Sequence, residues 1–539
     1  MLGTAALSTI GFLNNCRQEQ KRPNILFIIC DDLNDAITGM GGHPQAKTPN
    51  IDKLMQRSVQ FTHGYSNNPI CAPARASMLT GLYPHTTGYF GFNQQKNHWR
   101  DNPIMKEAKT VMEHFMDNGY NVYGTGKVFH NGHEDWDVWK RDDGFNGFGI
   151  KPDHGPWPWD GKHYAWWDEN YRKPMPHPDM PQELQKSPYQ GFGPLSKIPK
   201  YESKPEKNIS GYKGWSLGGP FKYNGPNDRD LMPDEKNAKW TSDILSQQHA
   251  KPFLMMVGIN RPHTPLYAPQ KYFNMFPLDS VELAKILEND LEDCADILAD
   301  EQDFGCNGAG LRKYKAVLEG GGKKMLKKWT QAYLACVAFV DDQIGKILTA
   351  LDQSEYSEDT IVIFTSDHGY HMGEKKQLFK DSPWEESCRI PFIIDVPWYK
   401  SKGICSHPVS MIDLYPTMID FCNLPENPNQ QTNGYQLDGY SLKPFLKDPS
   451  TKDWEGPDFA LSEVKGKRKD GKFNPASPET QHYSIRTEKY RYVYCYNGEE
   501  ELYDHEEDPY EWHNLADQDQ YKQLKTKLKE KLFDFLDWE

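Results

Sequence analysis

The chain predicts an α/β protein: a doubly wound sheet with helices on both faces, followed by a small α+β C-terminal domain. Three observations carry that prediction. Short apolar runs bounded by turn residues, Asn24 to Cys30, Phe253 to Ile259, Thr360 to Phe364 and Pro391 to Val396, read as buried parallel strands. A helical pattern over Thr330 to Leu351, with Tyr333, Cys336, Val340, Ile344, Ile347 and Leu351 three or four residues apart, stands directly before the third run. Strand and helix alternation of this kind winds helices over both sides of a sheet, and ligands then bind beyond the carboxyl ends of the strands. Asp31, Asp32, Asp367 and His368 stand just past such runs.

In chain order, Met1 to Asn15 is apolar and uncharged and resembles the tail of a signal peptide. Cys16 after Leu13-Asn14-Asn15 resembles a bacterial lipobox, with Asn15 where a small residue is preferred. The expectation is an exported protein of the bacterial periplasm, with Cys16 as a candidate lipid anchor. Residues 1–21 form this leader-like segment, 22–448 the main domain and 449–539 the C-terminal one. Asp143 to Asp230 is rich in Gly, Pro and Trp without periodicity and reads as an irregular insertion over the site, where Trp157, Trp159, Trp166 and Trp167 are candidates for sugar stacking or for packing of the loop itself. Pro449 to Gly456 reads as a linker. Beyond it, Phe459 to Val464, Tyr483 to Arg486 and Tyr490 to Tyr496 have strand character, and Tyr521 to Trp538 reads as a closing amphipathic helix.

Composition narrows the function. The 539 residues carry a net charge of −14 with a pI near 5.7, which excludes a general nucleic-acid binder, because a phosphate backbone demands a basic footprint. No run of eighteen apolar residues occurs, so no membrane span is expected. Ten cysteines without a Cys-x-x-Cys pair exclude a zinc ribbon; Cys294 and Cys306 are placed to close a loop.

The most informative segment is Cys71-Ala72-Pro73-Ala74-Arg75-Ala76-Ser77-Met78-Leu79-Thr80-Gly81. Pro73 fixes φ and lacks a donor, Arg75 sets a permanent cation one turn from Cys71, and a helix starting here turns its N–H groups toward an anion. Asp31-Asp32 and Ser366-Asp367-His368-Gly369 together offer the hard oxygen donors that Ca²⁺ or Mg²⁺ prefers. Gly126-Lys127-Val128-Phe129-His130, Arg261-Pro262-His263-Thr264-Pro265 and Gln377-Leu378-Phe379-Lys380-Asp381 add bases and cations.

The Cys-x-Pro-x-Arg core with its Leu-Thr-Gly tail resembles the type I sulfatase signature. Gly-Lys-Val-Phe-His, Arg-Pro-His-Thr-Pro and His368 beside Asp367 are similar to the iduronate-2-sulfatase branch, and the resemblance runs from Arg22 to Leu515. It implies an alkaline-phosphatase-like fold and a Cα-formylglycine made from Cys71 by a formylglycine-generating enzyme or anaerobic maturase. It also implies one Ca²⁺ on Asp31, Asp32, residue 71, Asp367 and His368. Lys127 would orient the nucleophile's geminal diol, His263 would protonate the leaving alkoxide, and Arg75 and Lys380 would offset sulfate charge. His130 would deprotonate the second hydroxyl to release sulfate. The implied substrate is a 2-O-sulfated, saturated or unsaturated uronic acid in a glycosaminoglycan oligosaccharide. Arg486 is the candidate for its carboxylate, with Trp157 and Trp159 as sugar contacts. The rivals are a sulfatase for 6-O-sulfated hexosamine, a phosphoester or phosphonate hydrolase of the same fold, and an inactive glycan-binding module.

Overall fold

The structure, a computed structural model, describes residues 22–91, 99–130, 145–158, 180, 182, 190–197, 215–217, 221–302, 308–432, 434–466 and 477–538. Its centre is one sheet of eight strands: β1 (Asn24–Asp31), β2 (Val59–Phe61), β3 (Asn121–Gly126), β4 (Phe145–Phe148), β5 (Phe253–Pro262), β6 (Thr360–Ser366), β7 (Phe392–Asp395) and β8 (Gly403–Cys405), laid side by side as β8-β2-β7-β6-β1-β5-β3-β4. The helices that matter for the site are α1 (Cys71–Thr80), α2 (Val111–Asp117), α3 (Pro233–Leu245), α4 (Gly308–Asp352) and α5 (Leu414–Cys422).

Period-two alternation along the buried strands explains why both faces need helices. Ile25, Phe27 and Ile29 of β1 join the core under α1, α2 and α5, whereas Leu26 and Ile28 join the core under α3 and α4. β1 pairs in parallel with β5 on one side and β6 on the other, so Asp31 and Ser366 reach the same end of the sheet.

One strand departs from the expected parallel set. β7 runs antiparallel to both β6 and β2, which makes the sheet mixed. Residues 367–391 do not cross a face of the sheet on a long helix. They stay at the carboxyl end, where they supply Asp367, His368 and Lys380, and the chain re-enters from that end. An apolar run reads the same in either direction, so the sequence pattern carried no sign of the reversal.

The periodic Thr330 to Leu351 segment lies within α4, which begins at Gly308 and is broken by non-helical backbone at Gly321 and Gly322, the latter at φ 61°. The described parts of the irregular stretch form short pairings: Trp157–Pro158 with Trp215–Ser216, and Phe192–Pro194 with Leu266–Ala268. Cys16, Trp159, Trp166, Trp167 and Cys306 lie outside the described residues, and Cys294 is a buried free thiol that donates to the Asp290 carbonyl at 3.3 Å. Among the described residues no helix is long and apolar enough to cross a membrane.

The C-terminal region forms a second, antiparallel sheet of β9 (Ala460–Val464), β10 (His482–Arg486), β11 (Tyr490–Tyr494) and β12 (Glu500–Asp504), in that order, with α6 (Lys522–Phe535) over one face. The other face packs on Trp384 and Leu298 of the main body. The segment read as a linker is pinned: Trp454 Nε1 donates to the Ser441 carbonyl at 2.9 Å, and its ring lies 5.1 Å from Phe445 and 4.9 Å from His407.

Candidate active site

Cys71 is the first residue of α1 and is 1% exposed. Ile70 ahead of it is extended and gives the helix no side-chain cap, so the first-turn N–H groups and the positive end of the helix dipole face the Cys71 side chain. Burial, with Asp31 adding to it, pushes the thiol up to about 12. A thiol held that high is protonated at neutral pH and is a poor nucleophile as it stands.

The carboxylates come from the ends of β1 and β6. Asp31 ends β1, and Asp32 takes a left-handed backbone (φ 64°), a conformation uncommon for a non-glycine residue, which lets two consecutive aspartates serve one site. The Asp367 carboxylate accepts from its neighbours' backbone, from Asp32 N at 3.3 Å and from His368 N at 3.0 Å. His368 Nδ1 faces the Gly369 carbonyl at 2.9 Å, which assigns the proton to Nδ1. Nε2 is thereby turned as a lone pair toward Cys71 Sγ at 3.2 Å, Asp367 at 3.5 Å and Asp32 at 3.6 Å. Burial keeps that imidazole neutral.

Three cations surround this group. Arg75 Nε donates to Asp367 at 2.9 Å, and its other nitrogens reach the carbonyls of Lys127, Val128 and Cys30. Lys127 Nζ pairs with Asp31 Oδ2. Lys380 Nζ pairs with Asp32 Oδ1 and stands 3.0 Å from Cys71 Sγ. Burial opposes the Lys380 ammonium, yet Asp32 and the charges behind it carry its pKa well above the ordinary value. Gly126 makes the turn that aims Lys127: its φ is +70°, and a Cβ there would lie 1.9 Å from the Gly258 carbonyl oxygen. His130 follows on the same turn, half-buried.

The lysines engage one oxygen each of Asp31 and Asp32 and leave the other. Asp31 Oδ1 and Asp32 Oδ2 are buried without a hydrogen-bond partner. Burial pushes Asp32 up to about 7 and Asp367 to about 6, while Lys127 leads the groups that outweigh burial and hold Asp31 well below the usual carboxylate range. Ligand atoms of Asp31, Cys71, Asp367 and His368 lie within 4.8 Å of one another. A second such group joins Asp32 and His263 to Asp31 and Cys71, and Arg75 Nη2 stands 3.9 Å from Asp31 Oδ1; two carboxylate oxygens without a hydrogen bond fit a divalent cation of the Ca²⁺ type.

Two histidines line the approach. His263 follows β5, its ring 4.2 Å from that of His154, and His154 Nε2 stands 3.4 Å from Asp31 Oδ2. Burial holds His263 well below its ordinary pKa and His154 down to about 3. His154 was not foreseen: it lies in the aperiodic insertion, where no pattern marks it. Arg261 secures it, donating to the His154 carbonyl at 2.7 Å and the Gly155 carbonyl at 3.1 Å.

Two expected substrate contacts are placed otherwise. Arg486 is 3% exposed and faces Glu385 at 3.5 Å, so the protein itself supplies the carboxylate that a substrate was expected to bring. Trp157 is 5% exposed with Nε1 on Asp153 at 3.3 Å, which makes its ring part of the loop's packing rather than an open platform.

A nucleophile position at a helix terminus, three cations beside it and a cation-binding set of acids behind it suit one class of enzyme, the hydrolases that cleave esters of tetrahedral oxyanions. Comparison with known proteins narrows the class. Residues 23–424 match the Sulfatase family model, and residues 373–537 match the model of the N-sulphoglucosamine sulphohydrolase C-terminal region. A sulfatase of Formosa agariphila is 30% identical over 96% of this chain and 89% of its own length; iduronate 2-sulfatase of Mus musculus is 26% identical over 94% and 93%. The fold is shared with a phosphonate monoester hydrolase of Agrobacterium radiobacter (TM-score 0.65, 23% identity, 95% of each chain). The chain belongs to the sulfatase family and is a hydrolase of sulfate esters.

Proposed function

We propose that this sulfatase removes the 2-O-sulfate of a uronic acid, saturated or unsaturated, from glycosaminoglycan oligosaccharides, using Cα-formylglycine derived from Cys71 and one Ca²⁺ on Asp31, Asp32, Asp367, His368 and residue 71. The observation that carries the chemistry is the pair of orphaned oxygens on Asp31 and Asp32 beside a thiol too buried to ionise. An aldehyde hydrate at position 71 needs no thiolate, and a bound Ca²⁺ would neutralise sulfate charge and favour an ionised hydroxyl there. The substrate reading rests on the iduronate 2-sulfatase relative and on the Gly126 to His130 and Arg261 to Pro265 motifs.

The chain's own residues divide the work. Lys380, 3.0 Å from Sγ, and Lys127 meet sulfate oxygens as charge develops in the transition state. Arg75 acts from behind, holding Asp367 and the Lys127 turn in place. His263, with Nδ1 toward the Thr264 carbonyl, directs Nε2 at the leaving oxygen, and an arriving sulfate anion raises the pKa that burial has depressed. His130 is the base that releases sulfate. The apolar Met1 to Asn15 segment supports export to the periplasm, with Cys16 as a candidate lipid anchor.

Two measurements test this reading. The mass of the peptide carrying residue 71 reports the aldehyde directly. A panel of disaccharides sulfated at uronate 2-O, at glucosamine 6-O or N, and at galactosamine 4-O or 6-O reports position, with 2-O-sulfated uronate as the expected substrate. Turnover of a 6-O-sulfated hexosamine alone would overturn the regiospecificity while leaving the sulfatase assignment intact.

A further inference from the structure

Four lysines are buried among the described residues, Lys127, Lys313, Lys375 and Lys380. Three hold a carboxylate: Lys127 on Asp31, Lys375 on Asp290 at 2.8 Å, and Lys380 on Asp32. Lys313 differs. It is 7% exposed and makes no hydrogen bond or ion pair among the described residues. Its ammonium instead faces two aromatic rings, 4.6 Å from the centre of Phe379 and 5.5 Å from that of Trp329.

The position of Lys313 beside the site follows from how α4 docks. A Cβ at Gly310 would lie 2.6 Å from Gln377 Oε1 and 3.1 Å from Phe379 Cβ, and Leu378 N donates to the Gly310 carbonyl at 3.3 Å. The first turn of α4 is thus laid against the segment that carries Lys380. Lys313, three residues after Gly310, projects from the same helix face. Lys380 Nζ lies 5.7 Å from the centre of that same Phe379 ring, so the two ammonium groups are neighbours across one phenyl side chain. Asp32 and Lys380 are the charged groups whose fields reach Lys313.

An ammonium taken out of water without a carboxylate in contact is unfavourable, and two ring faces with the more distant field of Asp32 recover only part of the loss. Burial accordingly pushes the Lys313 pKa down to about 7. Lys380 Nζ stands 3.0 Å from Cys71 Sγ, so Phe379 and Lys313 lie on the Lys380 side of the nucleophile position.

We propose that Lys313, positioned by the Phe379 and Trp329 rings, is the cation of a subsite for a second anionic group of the substrate, a carboxylate or further sulfate borne by the sugar whose ester is cleaved. The inference rests on the sulfated-saccharide reading above and assigns to Lys313 the partner that Arg486 already finds in Glu385.

The test compares wild type with Lys313→Met, which keeps the aliphatic stem, and with Lys313→Arg, which keeps the charge. The substrates are 4-nitrophenyl sulfate, an unsaturated 2-O-sulfated uronate disaccharide, its carboxyl-reduced form, and a disaccharide with an added sulfate. For Lys313→Met the KM for the carboxylated disaccharide should rise about 30-fold or more with little change in kcat, and Lys313→Arg should restore most of it. The substrate whose preference over the aryl sulfate collapses identifies the anion as carboxylate or sulfate. An equal loss on the aryl sulfate and on every saccharide overturns the subsite and leaves Lys313 a packing residue. Should Lys313→Met fail to fold, inhibition of wild-type aryl sulfate hydrolysis by the desulfated disaccharide decides instead: equal inhibition by carboxylated, carboxyl-reduced and further-sulfated forms overturns the proposal. If wild type cleaves a different sulfated sugar, the 2-O reading falls and the same ratio measured on that sugar still judges Lys313.

Discussion

Two buried clusters of acids and bases in this protein use similar side chains and reach opposite states. Around Cys71, three aspartates face Arg75, Lys127 and Lys380, yet Asp31 Oδ1 and Asp32 Oδ2 remain without a hydrogen bond. Beneath the C-terminal sheet, Glu385 accepts from Tyr65 at 3.0 and 3.2 Å and from Arg491. Glu511 accepts from Arg491, from Glu385 N at 2.9 Å and from His505 at 2.9 Å. The second cluster has no oxygen to spare. Its acids respond accordingly: Arg486 leads the groups that overcome burial and hold Glu385 well below its usual pKa, and Arg491 leads those that bring Glu511 to about 2. At the first cluster Asp32 and Asp367 are instead raised by burial, and Asp31 alone is held low, with Lys127 leading the groups that overcome its burial. By distance alone Glu385, His505 and Glu511 would also make a metal trio, but the Arg491 guanidinium already binds both carboxylates. Completed pairing clamps two parts of a fold together, whereas pairing left incomplete on one side leaves oxygens that a cation could take.

The largest expected effect breaks the comparison at its centre. Cys71→Ala should lower sulfate ester hydrolysis by about 10⁴-fold or more while the melting temperature stays close to wild type, since in the proposed mechanism the position supplies the nucleophile and it bears none of the ion pairs. Substantial turnover in that variant would remove residue 71 from the chemistry. Chelation comes next: if the proposed Ca²⁺ occupies the site, EDTA should cost on the order of a hundredfold or more in kcat, restored by Ca²⁺, because sulfate charge then lacks its counter-ion. The clamp should answer in the other currency. Glu511→Gln leaves Arg491 buried against one acid and should cost about 3 to 5 kcal/mol of stability, read by denaturant unfolding, with activity per folded molecule retained. If Glu511→Gln instead abolished activity without destabilising the fold, the division between clamp and site would fail.

Most of this contrast was not written in the sequence. The aspartates at the ends of β1 and β6 were legible because apolar runs announce strands and ligands gather at their ends. The Cys71 to Gly81 motif was legible because its spacing is chemically specific. Strand direction was not, since the Phe392–Asp395 run is equally apolar read either way. His154 lay in a stretch without periodicity, and Lys313 sat among Arg312 and Lys315 like any charged helix face. Arg486 looked like a free cation because nothing in a sequence says that Glu385, a hundred residues earlier, has already claimed it. Pairing across the fold is a tertiary property, and it decided which charged residues remain for ligands.

The smallest effect is also the most discriminating, because it reads the orphaned acids without turnover. Asp32 has its folded pKa raised to about 7, above the roughly 3.9 of an unfolded aspartate. Between those values the folded state holds the proton more tightly than the unfolded one, so this residue's contribution to stability declines as pH rises through the window. Asp32→Asn removes that titration, and the groups remote from Asp32 contribute equally to both proteins and cancel in the difference. In EDTA, wild type should therefore lose about 1 to 2 kcal/mol relative to Asp32→Asn between pH 4.5 and pH 7.5, Lys380 absorbing part of the full linkage. Saturating Ca²⁺ should reverse the order at pH 7.5, because the ionised carboxylate then has its cation and the amide binds it poorly. A difference that rises with pH in EDTA, or one that Ca²⁺ leaves untouched, would mean that Lys380 alone satisfies Asp32 and that the first cluster, like the second, is a closed ion-pair network.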